Sequence, residues 1–441
     1  MLSRRRLGYR RFLLHRIVFR SVAERAIVLV NGVVETVLSR QDRELEELKN
    51  PLLDRDIAII AYAETKIARR SGKTAYELAG EIMDQIARRT GVVPGEIDGL
   101  ATVQTHSEAA NPFWAPFLAD HLGLQLSWTQ TSGNGGASPS GNVARACAAI
   151  QAGLCEVVLC CNTDAASTRQ RSDQRSYRTD FVEPVGLQGP PSYFGFIMRR
   201  YMEKHELKFE ALGKLAVEQR KGALTNPNIC ETFNKPITLD DYLNSRMVAA
   251  PLRLLDAVMR CDGANGLLIT TTERAKAMGV NKMVHPIAFA ELTNFDVQNQ
   301  LPDVTETGFS VIGPQIFEKA GLSHGDIRMA HLYDDFHIAT LMQLEQIGFC
   351  DRGGGSSFIL DTDISPTGTL PLNTGGGQIS SGQPGLAGGG VQLIEAVRQM
   401  LGEAEGRQVP DPSIALVSGI GCINYVRNWS VSAALILERH T

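Results

Sequence analysis

The chain has 441 residues, 43% of them hydrophobic and 21% charged, with a formal net charge of −4. This composition suits a folded protein with a large core and gives no whole-chain attraction to nucleic acid. No apolar run approaches the ~20 residues that cross a bilayer, and the length allows either two or three ordinary domains or one large duplicated one.

The first 20 residues hold seven arginines, and the first acidic residue is Glu24. Arg-rich, acid-poor leaders occur as organelle transit peptides, and basic arms bind membranes or nucleic acid. We read residues 1–50 as an extension outside the fold, because a strand-like run opens cleanly at DIAIIAYAETK (56–66). A helix pattern follows at 75–89, then strand-like runs at EIDGLATVQTHS (96–107) and WTQTSGNGG (128–136), the latter turning through glycines into a helix. CEVVLCC (155–161) reads as a buried strand. The eight cysteines lack any CxxC spacing, so they read as small buried hydrophobes in a reducing cytoplasm. Residues 165–262 form a long insertion with a charged start (167–181) and helix patterns of its own, which suits a lid or substrate subdomain.

NGLLITTTERA (265–275) closes this series, and a second one begins. It runs MVHPIAFAELT (283–293), DIRMAHLYDDFH (326–337), LPLNTGGGQ (370–378) leading into a helix, IALVSGIG (414–421) and SAALILER (432–439). The five segments match those of the first series in order and character. Each series opens on a β-rich run, turns through glycines after its third run, and ends on two apolar strands. Strands alternating with helices predict parallel or mixed sheets, and near-continuous apolar strands predict burial on both faces. The expected fold is α/β: a duplicated five-layer α/β/α/β/α protein, with halves at 51–280 and 281–441 and an inserted loop domain at 165–262.

Five motifs in this order resemble the thiolase superfamily over about residues 56–440. They are GGASPSGNVARACAAIQAGLCEVVL (135–159), RRYMEKHELKFEALGKLAVEQRKGALTNPN (199–228), SRMVAAPLRLLDAVMRCDGANGLLI (245–269), YDDFHIATLMQLEQIGFC (333–350) and LPLNTGGGQISSGQP (370–384). The resemblance is to the sterol-carrier-type, aldolase-like branch. It implies a thiolase fold, a homodimer and a CoA-thioester substrate, with no covalently bound cofactor.

The catalytic residues of ordinary thiolases do not carry over. The nucleophilic cysteine's place falls near Gly136 to Ser138, the histidine's place holds Gln383, and the second cysteine's place holds Ser418. The Asn-Glu-x-Phe motif is replaced by Tyr333-Asp334-Asp335-Phe336. Acyl-enzyme chemistry needs a thiolate and a base to activate it, and glutamine takes no proton at neutral pH. The Tyr-Asp-x-Phe form is that of aldolase-like members, which break a carbon–carbon bond in a β-hydroxyacyl-CoA. Some of these relatives carry a second tyrosine where this chain has Gln383.

The candidate catalytic residues are therefore Tyr333 as proton relay, His337 as acid–base group if both share one helix face, Gln383 as hydrogen-bond donor, and Asp335. Asp334 reads as a cap of the helix that follows it, and Ser138 as a cap of its own helix with a role in the loop. Gly375, Gly376 and Gly377, with Gly419, Ser138 and Ser418, are the candidate substrate and oxyanion loop. Arg199, Arg200, Lys204, Lys214, Arg220 and Lys221 are candidates to meet CoA phosphates. No Walker motif, dinucleotide fingerprint or zinc spacing occurs, so no metal site is expected.

The leading function is an enzyme acting on an acyl-CoA thioester, by aldol-type cleavage or by acyl transfer without a cysteine. The alternative is a catalytically silent subunit that binds acyl-CoA or lipid, or scaffolds a partner; the missing nucleophile argues against a true acetyl-CoA acyltransferase. The resemblance also implies an OB-fold, zinc-ribbon protein as a possible partner.

Overall fold

A computed structural model of the protein describes residues 55–169, 182–187, 189–423 and 427–440. The basic extension 1–50 and residues 170–181 of the charged stretch lie outside the described residues.

The chain order is β1 (Ile57–Glu64), α1 (Ala75–Thr90), β2 (Gly99–Val103), α2 (Trp114–Leu122), β3 (Trp128–Ser132), α3 (Ser138–Gln151) and β4 (Val157–Asp164). The inserted segment supplies α4 (Gly189–Lys204), α5 (Phe209–Ala223), α6 (Leu239–Leu243) and a hairpin of β5 (Met247–Ala249) with β6 (Leu252–Arg253). Then come β7 (Gly263–Thr271), α7 (Thr272–Ala277), β8 (Val284–Thr293), α8 (Phe309–Ala320), β9 (Met329–His331), α9 (His337–Ile347), α10 (Gly355–Asp361), α11 (Gly377–Ser381), α12 (Gly389–Leu401), β10 (Ile414–Ile423) and β11 (Trp429–Arg439).

Nine strands join in the order β3-β2-β4-β7-β1-β8-β11-β10-β9. The second series thus repeats the order of the first in mirror sequence, and the two meet where Ile59 of β1 pairs with Val284 of β8. The expected third strand of the second series is reduced to a parallel bridge between Ala330 and Leu372. Pro371 has no N–H to extend that ladder, and the glycine turn begins three residues after Leu372.

Side-chain alternation explains the layers. On β10, Leu416 faces α8 and α9, whereas Ala415 and Val417 join a core with α3 and α12. On β4, Val158 and Cys160 face that same central core, and Val157, Leu159 and Cys161 face α1 and α2. Both faces of each half-sheet are therefore covered, which is why the strands read as unbroken apolar runs. The central helices α3 and α12 lie between the two halves.

The insertion shares its core with the second half. Phe194 of α4 stacks on Phe336 with ring centroids 4.1 Å apart, and lies 6.0 Å from Trp429. Helix α5 lies directly on the glycine turn: a Cβ on Gly222 would overlap the carbonyl oxygen of Thr374. Arg220 Nε donates to Ser380 Oγ at 3.3 Å, and Asn226 Nδ2 donates to the Gly375 carbonyl at 3.1 Å. Among the described residues, the insertion is fastened to the turn by buried polar contacts.

Candidate active site

Tyr333 is held by its backbone. Its N–H donates to Ser418 Oγ at 2.8 Å, Ser418 donates to Gln343 Oε1 at 2.6 Å, and Gln343 Nε2 returns to the Tyr333 carbonyl at 2.8 Å. This closed ring places Ser418, on β10, under Tyr333 as a hydrogen-bonding support.

The Tyr333 ring lies over Gly136, where a Cβ would overlap the aromatic carbons and stand 2.5 Å from the hydroxyl. The loop 134–137 presses equally closely on β10. A Cβ on Gly419 would come within 2.6 Å of Ala137 Cα, so that glycine is required by backbone packing. Gln383 Nε2 donates to the phenol oxygen at 3.4 Å. Its own backbone is pinned by the Met259 carbonyl, which accepts its N–H at 2.9 Å, and by the Cys261 N–H, which donates to its carbonyl at 2.8 Å. Burial, and then the neighbouring Asp335 carboxyl, push the phenol well above its ordinary range, so Tyr333 is neutral.

The two aspartates part company. Asp334 is fully buried and accepts from the Gln378 N–H at 2.8 Å, the Ile379 N–H at 3.4 Å and the Gln392 carboxamide. It closes the start of α11, across the fold, and not the start of α9 as its sequence position suggested. A Cβ on Gly377 would overlap its carboxylate. Burial pushes Asp334 up to about 8 despite these donors. For Asp335, burial and then the charge of Asp334 raise the carboxyl well above the carboxylate range. Its Oδ1 is buried without a partner among the described residues.

Helix α9 begins at His337, because Phe336 before it is extended at φ −146° and ψ 137°. Tyr333 therefore lies outside the helix, and the condition for sharing a helical face with His337 is not met. His337 is fully buried and turns toward the insertion, with Nε2 3.3 Å from Gln219 Oε1 and Nδ1 3.4 Å from Asp256 Oδ1. Asp256 in turn accepts from the Tyr242 hydroxyl at 2.8 Å.

Part of the glycine turn is committed to its own fold. The Gly376 N–H donates to the Asn373 carbonyl at 2.9 Å, and the N–H groups of Gln378 and Ile379 go to Asp334. A Cβ on Gly375 would stand 2.7 Å from the Glu395 carboxylate, and one on Gly376 2.6 Å from the Ala223 side chain. Close packing by Glu395, Ala223 and Asp334 requires these glycines. Ser138 opens α3 with helical dihedrals, and its buried Oγ makes no capping bond, contrary to the cap expected from sequence.

The basic residues of the insertion are largely engaged. Lys214 donates to the Leu360 and Thr362 carbonyls at 2.9 and 2.8 Å, and Arg220 is buried on Ser380. Lys204 pairs with Asp303 at 2.7 Å and Lys221 with Glu218 at 2.7 Å, while Arg199 and Arg200 share Glu203. Cys147 sits inside α3, where burial pushes its thiol up to about 12, so it supplies no thiolate.

Sequence reasoning missed Gln343, Gln378 and Gln392. The signal was present: α9 is buried at every position, yet carries Gln343, and a carboxamide in such a helix must bond something.

Residues 290–439 match the thiolase C-terminal domain-like family. Over 390 residues the chain is 31% identical to a steroid side-chain-cleaving aldolase of Thermomonospora curvata, covering 82% of this chain and 95% of that protein. This chain belongs to the thiolase superfamily. It is also 29% identical over 393 residues to a 17-hydroxy-3-oxo-4-pregnene-20-carboxyl-CoA lyase of Mycobacterium tuberculosis, covering 84% and 98% of the two chains. A solved Ltp2-ChsH2(DUF35) aldolase superposes with a TM-score of 0.75 at 29% identity, covering 88% of this chain and 98% of that one.

Proposed function

We propose that this protein is an aldol lyase that cleaves the Cα–Cβ bond of a β-hydroxyacyl-CoA thioester. The observation that carries the reading is the buried, neutral phenol of Tyr333, fixed over Gly136 where a thiolase would need its nucleophile, with Gln383 donating to its oxygen. The similarity to proteins named as an aldolase and a CoA lyase supports the same chemistry.

A neutral phenol both accepts and donates a proton. As the Cα–Cβ bond breaks, the β-hydroxyl becomes a carbonyl and passes its proton to the Tyr333 oxygen. Tyr333 gives its own proton to the α-carbon of the enolate. The products are an aldehyde or ketone and a shortened acyl-CoA, and the proton count closes without an external base. Gln383 orients the phenol, and Asp335, whose carboxyl burial raises well above the carboxylate range, is a second donor near Tyr333. His337 serves in this reading to hold the insertion against α9. Ser138, Ser418, Gly419 and the turn Gly375–Gly377 shape and support the loop around the substrate.

We further propose a homodimer working with an OB-fold, zinc-ribbon partner in the cytoplasm; the solved aldolase that this chain resembles is named as a pair with a DUF35 protein. Among the described residues, no helix is long and apolar enough to cross a membrane.

The test is incubation of the purified protein, alone and with a co-encoded OB-fold protein, with β-hydroxyacyl-CoA and β-ketoacyl-CoA thioesters, followed by mass spectrometry. Release of a carbonyl compound and a shortened acyl-CoA from the hydroxy esters is expected. Saturable binding of the thioesters without turnover would replace the lyase by a silent binding subunit.

A further inference from the structure

The lyase reading leaves one role unfilled. Negative charge forms on the thioester oxygen as the bond breaks, and donors must meet it. The turn 375–379 spends the N–H groups of Gly376, Gln378 and Ile379 on its own fold. A side-chain donor in reach of that oxygen would complete the site.

Gln378 has its whole side chain buried, and beyond its contact with the Tyr333 phenol its carboxamide makes no hydrogen bond among the described residues. The other buried glutamines among the described residues each make a close side-chain hydrogen bond: Gln219 with His337, Gln343 with Ser418, Gln346 with Thr307, Gln392 with Asp334 and Gln399 with Thr374. An unpaired buried amide group costs about 1–3 kcal/mol, a cost that a bound polar group removes.

Its position is at the site. The carboxamide lies beside the Tyr333 phenol. A Cβ on Gly388 would overlap Gln378 Oε1 and stand 3.0 Å from Gln383 Cγ, so the two glutamines converge above this glycine. The backbone of Gln378 is anchored by its N–H on Asp334, which fixes the base of the side chain.

We propose that Gln378 is a catalytic residue whose side-chain amide donates to the thioester carbonyl oxygen and holds the charge that develops on it. The inference rests on the lyase reading for its substrate. It assigns the three polar tips separate tasks: Tyr333 moves the proton, Gln383 orients Tyr333, and Gln378 holds the enolate oxygen.

Gln378→Met, of similar length but without an amide, tests it. Cleavage should fall about 100–1,000-fold in kcat, with KM changed less than about threefold and with melting temperature unchanged or raised, since an unpaired polar group is removed. Gly388→Ala, which pushes on the same carboxamide, should lower kcat in the same direction. Retention of kcat within about twofold in Gln378→Met, or a fall in melting temperature that accounts for lost activity, would overturn the assignment. Should the wild-type protein cleave no β-hydroxyacyl-CoA, the lyase reading fails by itself. Binding of a nitronate analogue of the acetyl-CoA enolate then decides the role of Gln378: tenfold weaker binding in Gln378→Met upholds it, and equal binding overturns it.

Discussion

The aromatic ring of Tyr333 occupies the space that any side chain on Gly136 would need. One residue from the first series and one from the second, far apart in sequence, thereby define the floor and the reacting group of a single site. Gly136→Ala should displace the ring, cost about 1–3 kcal/mol of stability by overpacking and lower cleavage about 100-fold by misplacing the phenol. A melt and a lyase assay on the same preparation check both parts.

Tyr333→Phe keeps the ring and removes the proton. We expect kcat to fall about 100-fold to 10,000-fold, with acyl-CoA binding within a few-fold of wild type. Turnover and binding that both survive would mean that the phenol performs no step.

Ser418 both accepts from the Tyr333 N–H and donates to Gln343. Ser418→Ala leaves a buried N–H and a buried amide oxygen unpaired, and should cost about 1–3 kcal/mol for the pair in chemical denaturation. Ser418→Cys should gain no thiolysis of β-ketoacyl-CoA, because the side-chain partners of position 418 among the described residues are a backbone N–H and a carboxamide, neither of which is a base.

Asp334 gives stability a pH dependence with a definite sign. Its native value is about 8 against an ordinary 3.8, raised by burial. Between those values the native state holds a proton that the unfolded chain releases, so rising pH favours unfolding. The group's unfavourable contribution grows from about pH 4 to about pH 8 and then levels. Asp334→Asn should flatten this part of the profile, read as the wild-type-minus-variant difference in denaturation midpoint at pH 5 and pH 8. An equal difference at the two pH values would contradict the assignment.

His337 is expected to act on stability. His337→Ala strips a partner from Gln219 and from Asp256, both fully buried or nearly so, and should cost about 1–3 kcal/mol. Cleavage per folded molecule should stay within about threefold, with an unaltered pH–rate profile. Loss of one limb of that profile would make His337 an acid–base group after all.

Much of the fold was legible in the chain because burial on two faces leaves a direct mark. Runs such as IALVSG and EVVLCC are unbroken precursors of strands covered on both sides, and two series of such segments foretold a duplicated α/β fold, though not the strand order or the loss of the third strand of the second series. The absence of a cysteine near Gly136 to Ser138 and of a histidine at Gln383 excluded ordinary acyl-enzyme chemistry from residue identity alone. What the sequence did not decide was direction. Asp334 caps α11 rather than α9, His337 turns to Asp256 rather than to Tyr333, and Gly375 to Gly377 make room for Glu395, Ala223 and Asp334. Each of these depends on which distant segment arrives beside the residue. A hydrogen bond or a steric overlap is set by positions in space, to which spacing along the chain is only a local guide.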